Sequence, residues 1–87
     1  MSLRVHSSDI GTAISTALTM YNFESDVAVK AGETGYTAEF VLDHATDHLM
    51  DEICRHVKFL TGLKVKGWDM FSVSETKLHL VLRISKN

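Results

Sequence analysis

The chain has no proline and a single cysteine, Cys54, among its 87 residues. One thiol excludes an internal disulfide and every cysteine-rich zinc motif. No apolar run approaches the roughly 18 residues that a membrane-spanning helix requires. Met1-Ser2-Leu3-Arg4 lacks the apolar core of a secretory signal, so the expected location is cytoplasmic, with no membrane partner. No glycine-rich phosphate loop is present, because Gly32-Glu33-Thr34-Gly35 lies between two strand-like stretches instead of opening a helix. A nucleophile–base–acid pattern is missing as well, so the expectation is no catalytic residue and no cofactor.

What remains is ordinary for a globular domain. Apolar residues make up 45% and charged residues 23%, unlike a chain too polar to collapse. A chain of this length forms one domain, residues 1–87, and on folding it removes only about 60–65% of its surface from water, so association adds useful stability. The net charge of −2 hides a division. Arg4 and Lys30 stand against six carboxylates up to Asp43, whereas seven Lys/Arg face five Asp/Glu from residue 44 onward. Any attraction to nucleic acid must therefore come from the second half.

Leu3–Val5 reads as a short strand. Ile10, Ala13, Ile14, Ala17, Leu18 and Tyr21 recur at helical spacing, with Ser8 as the expected cap, Asp9 in the first turn and Asn22 as a left-handed terminator. Val27, Val29 and Ala31 alternate with polar neighbours in a strand over 26–31. The turn at 32–35 leads to a second strand over 36–42, with Tyr36, Ala38, Phe40 and Leu42 on one face. A helix is expected over 43–62, from an Asp43 cap to a Gly62 stop. Its apolar arc holds Ala45, Leu49, Met50, Ile53, Val57 and Leu60, opposite His44, His48, Asp51 and Arg55. Two strands close the chain, 63–73 with a bulge expected at Gly67, and 78–84 with Leu78, Leu80, Leu82 and Ile84 on one side.

The resulting order, β-α-β-β-α-β-β, predicts an α+β fold: a two-layer sandwich, ferredoxin-like with an extra C-terminal strand, in which both helices cover one sheet face. The rival arrangement is a duplicated helix–strand–strand module, 8–42 and 43–85.

The histidines raise a metal site. His44 and His48 are four residues apart, with Asp47 or Asp51 as an oxygen donor. The spacing lacks the glutamate of the zinc-peptidase helix, so solvated histidines and no bound metal are expected. Cys54 and His56 lie about 200° apart on a helix and cannot form a dyad. His6, at a helix start, could face an anion. The more coherent surface comprises Lys64, Lys66, Trp68, His79 and Arg83, expected together on the sheet face away from the helices. Cations beside one aromatic suit single-stranded nucleic acid. The apolar residues Trp68, Met70 and Val81, left over for that same face, suit self-association instead. The favoured reading is a small non-enzymatic interaction or regulatory domain that forms a homo-oligomer, or binds another protein, through its open sheet face or edge. Weak nucleic-acid binding by the 63–85 hairpin is the alternative, and a histidine-based metal or anion site is the second alternative.

Overall fold

The computed structural model describes residues His6 to Lys86. The expected strand Leu3–Val5 lies outside the described residues. The remaining elements are α1 (Ser7–Met20), β1 (Ala28–Ala31), β2 (Gly35–Leu42), α2 (Asp47–Thr61), β3 (Val65–Ser74) and β4 (Lys77–Ser85).

The first helix starts earlier than its expected Ser8 cap. His6 is the cap residue, and its backbone N–H donates to the Asp9 carboxylate at 2.9 Å. Ser8 already lies within the first turn, and Asp9 satisfies the otherwise unpaired N–H of His6. At the other end Asn22 takes a left-handed conformation (φ 63°), and the Phe23 N–H donates back to the Leu18 carbonyl at 2.9 Å.

The central helix is shorter than the 43–62 expected from its apolar spacing. Thr46 is its cap: the Oγ1 accepts from the Leu49 N–H at 3.1 Å. Asp43 does not cap it, because its carboxylate is held by the Lys77 ammonium at the start of β4. His44 and Ala45 therefore belong to the connection, and His44 and His48 are not one helical turn apart. Gly62 ends the helix as expected, at φ 76° with its N–H on the Lys58 carbonyl at 2.8 Å.

Four antiparallel strands form one open sheet in the order β1-β2-β4-β3. Ala38, Phe40 and Leu42 pair with Leu82, Leu80 and Leu78, so one face of the two central strands is almost wholly apolar. Both helices lie on that face. Ile10, Ala13, Ile14, Ala17 and Leu18 of α1, with Leu49, Met50, Ile53 and Val57 of α2, join Phe40, Leu80, Leu82 and Ile84 in one buried cluster. At about 25 cal/mol per Å² of apolar area removed from water, this single cluster is the main source of stability.

The two edges of β2 are occupied by β1 and β4, so no other strand separates the hairpins. This order does not establish a ferredoxin-like arrangement. It is unchanged when the first helix–strand–strand unit is exchanged for the second, and the cap pair His6/Thr46 and the terminator pair Asn22/Gly62 have the same separation along the chain.

Glycine is required in this sheet chiefly at Gly35. A Cβ built there would sit 2.0 Å from the Ile84 carbonyl oxygen, so the close approach of β2 to β4 leaves no room for a side chain.

Candidate functional site

The five residues expected to share the open sheet face do not share it. In β3 the register steps from Val65↔Ile84 to Gly67↔Arg83, which makes Lys66 the extra residue of a bulge. That one insertion reverses the facing of the residues from Gly67 to Ser72, and a second irregularity between Ser72 and Ser74 restores the original parity. Trp68 and Met70 pair with Leu82 and Leu80 and so turn to the helix side, where Trp68 is half-buried against the core. Of the apolar residues expected on the open face, only Val81 is there.

The open face instead gathers Lys30, Thr37, Glu39, Val41, Asp69, Phe71, His79, Val81 and Arg83. It is electrically mixed. The Arg83 guanidinium is 3.6 Å from the Asp69 carboxylate and lies over Gly67, where a Cβ would meet its Nη2 at 2.9 Å. His79 is half-buried, with its ring 6.4 Å from that of Phe71. Thus Arg83 and His79 are on the open face, Trp68 is on the opposite one, and Lys64 and Lys66 lie at the start of the outer strand.

The histidines are dispersed in the same way. His44 packs on Phe23 with ring centroids 5.0 Å apart. His48 meets Tyr21 edge-on at 5.9 Å, with its Nε2 3.4 Å from the tyrosine hydroxyl. His56 turns its Nδ1 onto the Glu52 carbonyl at 3.1 Å. The His44 and His48 contacts tie the chain at the end of α1 to the start of α2, whereas that of His56 stays within α2. Among the described residues no group of three His, Cys, Asp or Glu side chains could hold a metal ion.

Two titratable groups are displaced from their ordinary ranges. Hydrogen bonding from the Lys77 ammonium, with its positive charge, holds the exposed Asp43 carboxyl below its usual 3.8. Burial, assisted by the Asp51 carboxylate, pushes the Cys54 thiol above its usual 9.0, the opposite of what a nucleophilic cysteine needs.

Two surfaces stand out. The first is the outer edge of β3. This strand has ten residues, nothing pairs along its far side among the described residues, and Asp69 to Lys77 are all exposed. Met70, Phe71 and Val73 are 47%, 54% and 61% exposed. The edge at the other end of the sheet, β1, has only four residues. The second surface is an open groove of about 760 Å³ between α2 and the beginning of β3, lined by Cys54, Arg55, Lys58, Phe59, Lys64 and Val65. The Phe59 ring is 87% exposed beside it, and Leu60, expected in the apolar arc, is 51% exposed. Sequence spacing alone gave no sign of this groove, because it depends on the bulge and on where α2 ends. No helix among the described residues is long and apolar enough to cross a membrane. The chain matches no protein-family model, no curated protein and no solved structure.

Proposed function

We propose that this protein is a non-enzymatic interaction module whose working surface is the outer edge of β3, and that the partner there is a second copy of the same chain. The observation that carries this reading is the long edge strand, unpaired among the described residues, with Met70, Phe71 and Val73 exposed along it. An edge of that length presents a row of unsatisfied backbone N–H and C=O groups, which another strand can satisfy. Proteins that stay monomeric blunt such an edge with charge or proline. Here the second half of the strand, from Met70 to Ser74, carries neither.

Charge favours an antiparallel pairing of β3 with its copy about a centre near Met70 and Phe71. Lys66 stands near one end of the strand and Glu75 follows the other. A two-fold pairing brings Lys66 of each copy beside Glu75 of its partner, and the contact closes on itself instead of growing into a fibre. Centring on Asp69 would oppose two like charges and is disfavoured.

The test is sedimentation equilibrium of the wild type beside Phe71→Lys, with circular dichroism to confirm that the variant is folded. The expected result is a dimer at high micromolar concentration that becomes a folded monomer on substitution. A wild type that is strictly monomeric at that concentration would refute the proposal.

The nucleic-acid reading has less support, since Trp68 faces the helices and Arg83 is paired with Asp69. A cytoplasmic location is proposed together with this function. In architecture, the duplicated helix–strand–strand module is the reading favoured over the ferredoxin-like one, supported by the symmetric strand order and the matched helix caps.

A further inference from the structure

The groove between α2 and β3 combines two surfaces that are usually kept apart. Its lining is largely apolar: the exposed ring of Phe59, the half-buried Val65 and Cys54, and the aliphatic stems of the long side chains around it. The three remaining lining residues, Arg55, Lys58 and Lys64, are all cations. No carboxylate occurs in the sequence from Ile53 to Trp68, and Lys66 adds a fourth positive charge nearby. Arg55 shares the Glu52 carboxylate at 3.3 Å, but Lys58 and Lys64 have no ion pair among the described residues.

A simple anion would use the cations and leave the Phe59 ring in water. A simple hydrocarbon would cover the ring and leave the cations without a counter-charge. A molecule with an anionic head and one apolar chain uses both, and the volume lies within the range of small-ligand sites. We propose that this groove binds a single-chain amphiphilic anion of the long-chain carboxylate type. Its chain lies along Phe59, Val65 and Cys54, and its head group sits among Arg55, Lys58 and Lys64. The site touches β3 only at its start, away from the pairing centre near Met70 and Phe71, and none of its lining residues is one that the proposed self-association requires.

The probe is monomeric laurate, titrated into the full chain by calorimetry, with 1-dodecanol as the uncharged analogue. Saturable one-to-one binding of laurate is expected, with dodecanol weaker. Lys58→Gln and Lys64→Gln should each weaken laurate by roughly two- to fivefold, the range of exposed ion pairs, and leave dodecanol unchanged. Phe59→Ser should weaken both ligands. Saturating laurate should slow alkylation of Cys54, and the Phe71→Lys variant should bind laurate as the wild type does. The proposal is overturned by the absence of saturable laurate binding, or by dodecanol binding equally well with no response to the lysine variants. It is equally overturned if only anionic vesicles, an acidic peptide or oligothymidylate protect Cys54 and laurate does not.

Discussion

Replacing Thr46 with alanine tests the start of the central helix directly. The Thr46 hydroxyl accepts from the Leu49 N–H at 3.1 Å, and Leu49 is itself buried, so water cannot readily take over that donor. Loss of such a cap costs about 1 kcal/mol, within a range of about 0.5–2. For a domain of this size that corresponds to a fall in Tm of about 4–8 °C. Thr46→Ser keeps the acceptor and should stay close to the wild type. Asp43→Ala provides the comparison: it removes an exposed ion pair with Lys77 but leaves every helix donor as it was, so its shift should be clearly smaller. Urea unfolding followed by far-ultraviolet circular dichroism, with calorimetry for Tm, measures all three. If Asp43→Ala destabilises as much as Thr46→Ala, the helix begins at residue 43 and the capping argument is wrong.

Two further outcomes follow from the sheet and its surroundings. Gly35→Ala should lose roughly 1–3 kcal/mol, because its Cβ would meet the Ile84 carbonyl at 2.0 Å, while Gly32→Ala, with its nearest neighbour at 3.5 Å, should stay within about 0.5 kcal/mol in the same urea assay. The Asp43 carboxyl titrates lower in the folded chain than in the unfolded one, so its contribution to stability is present above its usual 3.8 and is lost as pH falls through the folded value. Lys77→Met should therefore lower stability near neutral pH and flatten its decline on acidification below that point. An unchanged acid limb in pH-dependent unfolding would refute this.

The α+β class, both helix stop signals and the apolar face of β4 could be read from local spacing, for reasons that are themselves local. Asn22 and Gly62 adopt the left-handed backbone through their own conformational freedom. Leu78, Leu80, Leu82 and Ile84 alternate at the period of a strand, and no register change within β4 intervenes. The start of α2 was not legible in this way, since Asp43 and Thr46 are both good caps. What separates them is Lys77, a residue from β4 that takes the Asp43 carboxylate.

The candidate surfaces depended on tertiary structure still more. One bulge residue, Lys66, decides which face Trp68 and Met70 occupy, and a bulge is defined only by the strand opposite. The five residues of the expected open-face site were consequently divided between both faces and the edge. Sequence by itself determined that two amphipathic helices and two hairpins would bury one apolar layer, because periodicity is carried by each segment alone. Only the folded chain decided that β4 lies inside and β3 outside. That choice leaves the ten residues of β3 as an edge unpaired among the described residues and brings Phe59 beside Lys58 and Lys64, since strand order and register are properties of pairs of segments.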